Sequence, residues 1–320
     1  MTTTRWMESA IRDNQHLCEI TMPGSHDAGV YAADAKSKGW SGTSNTVCQS
    51  DGLKGQCANG SRFFDIRVMN HSGAIVAHHT TSVLGARLGA FGGELGKMLG
   101  ELKDFVKANP SEFVIARFSK CGGHASIVRA VIERCGDVLL KGSTLISHCY
   151  VGQLRGKIIA VFADDFAQID PEYGIHRFQK YTGAGIQAGL TTCGSYANKL
   201  NIVKVYMDQI KKVHEHDNHN RRDHLHVMYW TQTSGVKNIK DFTTAGSNEF
   251  TRSDQYPTHS GGGGAHAFAG HMTTFVKDKM ERRGKGVARP SLPNVVMYDF
   301  VNPQTSASII ALNTPPLELP

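Results

Sequence analysis

Short apolar runs alternate with longer amphipathic stretches along much of the chain. Seven of these runs have the composition and length of β-strands. They lie near Cys18 to Met22, Phe63 to Met69, Ala74 to Ala77, Phe113 to Phe118, Lys157 to Phe162, Leu225 to Thr231 and Asn294 to Phe300. An eighth strand would fit within the remaining length.

Apolar residues three and four positions apart predict amphipathic helices between these strands. The four helical segments run from Phe91 to Val106, Ile127 to Ile132, Ile202 to Val213 and Phe268 to Met280. The first pattern stops at Asn109-Pro110, where a helix normally ends because proline cannot continue it.

This order of elements indicates a mostly parallel sheet whose outer surface is covered by helices. Seven or eight such units in 320 residues predict an α/β fold of the TIM (β/α) barrel type, distorted or incompletely closed. No internal repeat or linker divides the chain, so we expect residues 1–320 to form a single domain.

Composition narrows the location of the protein only slightly. The longest apolar run, Ile158 to Ala163, is far shorter than the ~20 residues that cross a bilayer, so we expect no transmembrane helix. A net charge of +7 fits weak attraction to acidic lipid or nucleic acid without choosing between them. The N-terminus lacks the pattern of a secretory signal. We therefore expect a secreted or extracellular protein if a signal has been removed, and a cytoplasmic protein otherwise.

The seven cysteines include no CxxC pair, which argues against a zinc ribbon or a thioredoxin site. We expect them to be small buried core residues, with Cys48 and Cys57 as a candidate disulfide.

Polar pairs follow four of the predicted strands, where barrel enzymes gather their reactive groups. His26 and Asp27 follow the first strand, and a pair of histidines follows Ile75-Val76-Ala77. Asp299 ends an apolar run and therefore needs a cationic or hydrogen-bonding partner if it is buried.

The remaining pair belongs to Arg-Phe-Phe-Asp-Ile-Arg, where strand alternation places Asp65 and Arg67 on one face with Phe63. Phe64 and Ile66 then point to the other face.

Four motifs together resemble the catalytic domain of bacterial phosphatidylinositol-specific phospholipase C. They are Met-Pro-Gly-Ser-His-Asp-Ala-Gly, Arg-Phe-Phe-Asp-Ile-Arg, Val-Ala-His-His and Tyr-Asp-Phe-Val-Asn, in that order. The resemblance runs from about Cys18 to Asn302, and the first two motifs are the specific ones. The Asn-Pro-Ser-Glu stretch that ends at Glu112 also looks like this family.

The resemblance implies a role for each of these residues. His26 would be the general base, and His79, or alternatively His78, the general acid. Asp299 would orient the His26 ring, and Asp27 with Arg67 would form a charge pair at the substrate phosphate. Two imidazoles can divide the proton transfers of phosphodiester cleavage, because their pKa values lie near neutrality.

The resemblance also bears on metals and on the headgroup. Related eukaryotic enzymes carry a carboxylate in place of Arg67 and bind calcium there, so the guanidinium argues for a protein without a cofactor. The alternative is Ca²⁺ held by Asp27 and Asp65, with Asp164 or Asp165 approaching from the next strand end.

Of the segments where bacterial relatives carry charged headgroup-binding residues, only Lys120 and Tyr196 match. The chemistry is therefore predicted more firmly than the inositol specificity.

We therefore expect an enzyme that cleaves a phosphoinositide into diacylglycerol and a cyclic inositol phosphate. Its partner would be a phospholipid surface contacted peripherally, without nucleic acid, and the protein would be a monomer. Two alternatives are a calcium-dependent lipid phosphodiesterase for another headgroup and a catalytically silent headgroup-binding module.

Three other features have simpler interpretations. The histidine-rich run from His214 to His219, followed by His224 and His226, is predicted to be a solvated loop rather than a metal site. The glycine run Gly261 to Gly264 is interpreted as a connector or a mobile rim loop. Trp40 could dock on a membrane if it is exposed, whereas Trp230 is expected in the core.

Overall fold

A computed structural model describes residues 2–31, 47–83, 86–142, 145–163, 165–181, 188–197, 202–218, 224–231 and 292–313. The strands are β1 (Met22–Ser25), β2 (Phe63–Ile66), β3 (Val68–His71), β4 (Ala74–Val83), β5 (Ala86–Glu94), β6 (Val114–Phe118), β7 (Ile158–Phe162), β8 (Ile175–Lys180), β9 (Leu190–Cys193), β10 (Leu225–Trp230) and β11 (Val295–Tyr298). The α-helices are α1 (Trp6–Ala10), α2 (Leu53–Ala58), α3 (Leu95–Ala108), α4 (His124–Cys135), α5 (Val151–Leu154), α6 (Ile202–Asn218) and α7 (Pro303–Ile310).

Eight strands form a closed barrel in the order β1-β11-β10-β9-β8-β7-β6-β2. Every neighbouring pair is parallel, including β1 with β2, which closes the barrel. The prediction of a TIM-type barrel is confirmed, and the closure is complete. Strands β8 and β9 were not predicted from the sequence, because β8 carries polar residues and β9 has only 4 residues.

The first predicted strand is shifted, because Cys18 lies in the 3-10 helix Leu17–Glu19 and β1 begins at Met22.

A second sheet of 3 antiparallel strands, β3-β4-β5, stands beside the barrel. The prediction that β4 is a barrel strand is therefore wrong. Ser72 and Gly73 join β3 to β4 with φ angles of 50° and 86°, and positive φ at both turn residues reverses the chain in a tight hairpin. The next strand, β5, includes Phe91, so helix α3 begins at Leu95 rather than at Phe91.

Side-chain alternation divides the core into the barrel interior and the layer between barrel and helices. On β2, Phe63 packs with the interior residues, whereas Phe64 and Ile66 pack with the apolar face of α3. On β10, Tyr229 faces inward and Trp230 packs outward against α6, with 3% of its surface exposed. The predicted core position of Trp230 is confirmed.

All seven cysteines remain thiols, so the predicted Cys48–Cys57 disulfide is wrong. Cys57 packs in the outer core, whereas Cys48 faces Asp27. Within the described residues, no helix has the length and apolar composition needed to cross a membrane. The predicted Phe268 to Met280 helix and the Gly261 to Gly264 run lie outside the described residues, as do Trp40 and Asp164.

Candidate active site

His26 and Asp299 are brought together by the barrel register. Strand β1 pairs with β11 so that Ser25 lies opposite Tyr298, and the next residue of each strand carries a reactive side chain. His26 Nδ1 lies 2.8 Å from Asp299 Oδ1. The predicted partner of the buried Asp299 is therefore the imidazole of His26.

The His26 ring is buried, and burial alone would favour its neutral form. The carboxylates of Asp27 and Asp299 outweigh this effect and raise the pKa of His26 above its ordinary value. Gln49 fixes the backbone at this point, because its side-chain amide donates to the carbonyls of His26 and Tyr298 at 2.9 and 3.2 Å.

Arg67 connects two buried carboxylates beside this ring. Its Nε lies 2.6 Å from Asp27 Oδ1, and its Nη2 lies 2.8 Å from Asp65 Oδ2. The same Nη2 lies 3.2 Å from His26 Nε2. Although burial favours the neutral acids, the guanidinium holds the pKa values of Asp27 and Asp65 below their ordinary range.

His79 reaches the same pocket from β4, outside the barrel. Its Nδ1 lies 3.1 Å from Asp27 Oδ2, while His26 Nε2 lies 3.5 Å from that same oxygen. The two imidazoles therefore face one pocket and share one carboxylate. Burial, with the charges of Arg67 and His26, lowers the pKa of His79 despite the attraction of Asp27.

His78 points elsewhere, with Nε2 3.0 Å from the carbonyl oxygen of Lys120 and Nδ1 3.0 Å from Thr80 Oγ1. Alternation along β4 explains the difference, because successive side chains point to opposite faces. Of the two candidate acids, His79 is the one at the pocket.

Lys120 and Tyr196 lie around the same group. Tyr196 accepts a hydrogen bond of 2.9 Å from Arg67 Nη2, and its ring centroid is 5.7 Å from that of His26. Lys120 is only partly exposed to solvent. The nearby positive charge of Arg67 lowers its pKa, and partial burial adds to this effect. All seven predicted site residues thus belong to one cluster.

The structure adds residues that the sequence analysis did not include in the site. Ser119 donates to Asp65 Oδ1 at 3.0 Å, and Arg117 lies 3.7 Å from the same oxygen. Cys48 Sγ is 3.9 Å from Asp27 Oδ2. Strand alternation could have found Arg117, since it is two residues before Ser119 on the inward face, whereas no local pattern marks Cys48.

The acidic residues considered as calcium ligands are not arranged as a calcium site would require. Ligand atoms of His26, Asp27 and Asp65 lie close enough to hold a cation, but the Arg67 guanidinium contacts both carboxylates. Asp165 does not approach them, because its carboxylate lies 3.3 Å from His124 with 53% of the side chain exposed.

The histidine-rich run is not a solvated loop where it is described, so that prediction is wrong. Helix α6 continues through His214 to Asn218, and the His216 side chain is buried beside those of His224 and His226. His216 follows Val213 by three residues and therefore continues the buried face of the helix.

Comparison with known proteins gives three findings. No protein-family model matches the chain. A 1-phosphatidylinositol phosphodiesterase of Staphylococcus aureus is 32% identical over 124 residues, which are 36% of this chain and 33% of the relative. A corresponding enzyme of Listeria monocytogenes is 30% identical over 118 residues, or 37% of this chain and 33% of that protein. The matched segment thus spans about a third of these relatives.

The structural similarity covers more of the chain than the sequence similarity does. The phosphatidylinositol-specific phospholipase C of Listeria monocytogenes superposes with a TM-score of 0.63 at 17% identity, covering 98% of this chain and all of the other. The protein thus has the barrel fold of the bacterial phosphatidylinositol-specific phospholipases C over nearly its whole length, and it resembles curated members of that group in sequence over about a third of it.

Proposed function

We propose that this protein is a phosphatidylinositol-type phospholipase C that cleaves a lipid phosphodiester with two histidines. The observation that carries the proposal is the placement of His26 and His79 around one buried carboxylate, Asp27, with the Arg67 guanidinium beside them. General acid–base cleavage needs two proton-transfer groups at one phosphate and a cation for its oxygens. The named activity of the sequence relatives supports the same reaction.

The first step would form a cyclic phosphate. With Nδ1 donating to Asp299, the lone pair of His26 lies on Nε2, beside Arg67 Nη2. Once the guanidinium binds the phosphate, this nitrogen would accept the proton of the headgroup hydroxyl next to the phosphate. That oxygen forms a bond to phosphorus as the bond to the diacylglycerol oxygen breaks. His79 gives its proton to the departing alcohol, so the products are diacylglycerol and a cyclic phosphodiester.

The second step would be slower hydrolysis of the cyclic product, with the proton transfers reversed. The oxygen of water would form a bond to phosphorus as His79 takes its proton. The bond between phosphorus and the headgroup oxygen would break, and His26 would return a proton to that oxygen. Arg67 would bind the phosphate oxygens in both steps, since its charge offsets the negative charge that develops on them.

The charges of the unliganded site oppose these roles. The pKa of His26, the proposed base, is raised, and the pKa of His79, the proposed acid, is lowered. A phosphate anion placed beside His79 would raise its pKa by the same electrostatic effect that Asp27 exerts. Substrate binding would thereby favour the protonated form of His79, which the reaction requires as its acid.

We infer that catalysis does not require a metal ion. Arg67 places a permanent cation between Asp27 and Asp65, where the calcium alternative would need the ion. Full activity after dialysis against excess chelator is the expected result. Loss of activity that returns with added calcium would instead support the calcium-dependent phosphodiesterase.

A membrane surface would be the partner, contacted without insertion, and we propose a monomer without affinity for nucleic acid. In support, one solved structure of the Staphylococcus aureus phosphatidylinositol-specific phospholipase C concerns modulation of its membrane binding; it matches with a TM-score of 0.63 at 17% identity, over 98% of each chain. Lys120 and Tyr196 border Arg67 and would contact the headgroup.

The test measures turnover and binding on vesicles that contain phosphatidylinositol. Wild type should release diacylglycerol, whereas His26→Ala and His79→Ala should each lose at least about a hundredfold in kcat/KM and still bind the vesicles. His16→Ala is the matched control, because His16 lies at the other end of the barrel beside the carbonyl of His148. If wild type binds the vesicles without turnover, the result would contradict the proposed enzymatic activity and support a catalytically silent headgroup-binding module.

A further inference from the structure

A cluster of metal-binding side chains lies on the outer face of the barrel, away from His26 and Arg67. Cys193 ends β9, and its register partner on β10 is His226. Both point outward toward the last turns of α6, which carry His216. His224 immediately precedes β10 and completes the cluster.

The cluster lies near the start of β10, whereas the candidate active site follows the ends of β1 and β11.

The spacing of three members suits a tetrahedral ion. Ligand atoms of Cys193, His216 and His224 all lie within 4.8 Å of one another. Cys193 Sγ is 3.7 Å from His216 Nδ1. Zinc bonds of about 2.3 Å to sulfur and about 2.0 Å to nitrogen, at a tetrahedral angle, would place these two atoms about 3.6 Å apart.

His226 provides a second observation. Its ring centroid is 4.9 Å from that of His216, its side chain is buried, and its Nδ1 has no hydrogen-bond partner among the described residues. An imidazole nitrogen that is buried without a hydrogen-bond partner can serve as a metal ligand.

The surroundings of the cluster are apolar, because Met228 and Trp230 pack in the same interface of α6 and β10. A hydrophobic shell of this kind limits the access of water to a metal site.

We propose that Cys193, His216 and His224 bind a Zn²⁺ ion, with His226 packed against His216 beside them. The ion would join β9, α6 and the start of β10, segments that the β9–β10 pairing and the hydrogen bonds of the Gln209 side chain also hold together. Thiolate and imidazole ligands favour zinc over the oxygen-preferring calcium and magnesium ions. Its role is structural, because no catalytic residue named above contacts these side chains.

The test uses full-length protein stripped of metal and titrated with Zn²⁺ alone, with Co²⁺ as a spectroscopic substitute. We expect one equivalent to bind with a Kd below about 1 µM. Co²⁺ should give a thiolate charge-transfer band and tetrahedral visible bands. Saturation with Zn²⁺, at about a hundredfold over the Kd, should raise the Tm by about 4 °C.

Variants assign the ligands. Cys193→Ser should abolish the charge-transfer band, and His216→Gln should weaken Zn²⁺ binding by at least about tenfold. His214→Gln is the matched control on the same helix, and Cys48→Ser excludes the thiol near Asp27; both should keep the binding.

Absence of the thiolate band in wild-type protein titrated with Co²⁺ would overturn the proposal, whether or not the variants fold. A band that persists in Cys193→Ser would also overturn it. Because lipid turnover is measured separately, failure of this site and failure of the proposed activity are distinguishable.

Discussion

Asp299 illustrates how far the chemistry of a single residue could be anticipated. A carboxylate at the end of an apolar strand needs a partner, and the partner is the His26 imidazole at 2.8 Å. Sequence reasoning could not anticipate the direction of the pKa shifts at His26 and His79, because they depend on distances between residues far apart in the chain. The carboxylates separate the two rings, because His26 contacts both Asp27 and Asp299, whereas of these two His79 contacts only Asp27.

The raised pKa of His26 predicts the pH dependence of kcat/KM for the free enzyme. The reactive form carries one proton on the pair, on His79, while His26 is neutral. Because His26 has the higher pKa of the two, the pair loses this proton only as pH rises through the pKa of His26. The alkaline limb should therefore be set by His26 and lie above the ordinary histidine value. Asp299→Asn removes a negative charge, so that limb should move to lower pH and kcat/KM should fall at least about a hundredfold. The measurement is a pH profile of both proteins, with Asp165→Asn as the control. An alkaline limb unmoved by Asp299→Asn would contradict the assignment.

Arg67 holds two buried carboxylates, which predicts a stability effect besides its effect on catalysis. Arg67→Gln leaves Asp27 and Asp65 without their cation, and removal of one partner from a buried pair costs about 3–5 kcal/mol. Urea denaturation at neutral pH should show this loss. Arg5→Gln, which breaks an exposed pair with Glu8, should change the free energy of unfolding by less than about 1 kcal/mol.

The sign of the pH dependence separates this explanation from a general loss of packing. In wild type, the lowered pKa values of Asp27 and Asp65 stabilise the protein above the unfolded-state pKa, and this contribution is lost as pH falls through the folded-state values. In Arg67→Gln, loss of the guanidinium should raise both pKa values, that of Asp65 less because Arg117 remains beside it. The variant should therefore recover stability relative to wild type as pH falls, and an equal difference at every pH would contradict the account.

At the scale of elements, the strands were predicted better than their pairing. The run before His78 was correctly predicted as a strand, but its apolar composition resembles that of a barrel strand. The hairpin at Ser72 and Gly73 takes it into a separate sheet, and a turn conformation is not visible in apolar periodicity. The barrel strands β8 and β9 were missed because one is polar and the other short.

Gly89 positions the strand that carries His79. It pairs with Thr80 in the β4–β5 ladder at a φ of +140°, and an added Cβ would clash with the His79 carbonyl and lie 2.7 Å from Thr80 Cα. Gly89→Ala should therefore displace His79 and reduce kcat by about tenfold or more, because a small misplacement of a catalytic group is costly.

The far-ultraviolet circular dichroism of Gly89→Ala should remain that of the barrel. Gly96→Ala is the matched control, since nothing lies within 4 Å of an added Cβ and alanine favours the α3 helix. Wild-type activity in Gly89→Ala would mean that the β4–β5 pairing does not position His79.

At the scale of the whole molecule, the two ends of the barrel have different tasks. The candidate active site follows the carboxyl ends of β1, β2 and β11, together with His79 from the second sheet. The opposite end is closed by Trp6, whose indole donates to the Gly60 carbonyl, and by a buried Arg62–Glu112 pair at 2.6 Å. The family resemblance included Glu112 but assigned it no role. In the structure, Glu112 stabilises this end of the barrel through its pair with Arg62.

Glu112→Gln should destabilise the protein without changing the active site. Arg62 would remain fully buried with only carbonyl partners, at a cost of about 3–5 kcal/mol. Glu8→Gln, at an exposed pair, is the control. Chemical denaturation should show the difference, while kcat of the folded variant stays at the wild-type value; a large fall in kcat would contradict the separation of the two ends.

The most direct test of the account is phosphorus NMR of the wild-type protein acting on phosphatidylinositol. The account predicts that the lipid signal is replaced by a cyclic phosphodiester signal, which later gives way to a phosphomonoester, and that His26→Ala and His79→Ala each suppress the first change. Direct appearance of the monoester without a cyclic species, or wild-type turnover in either variant, would contradict the two-histidine mechanism.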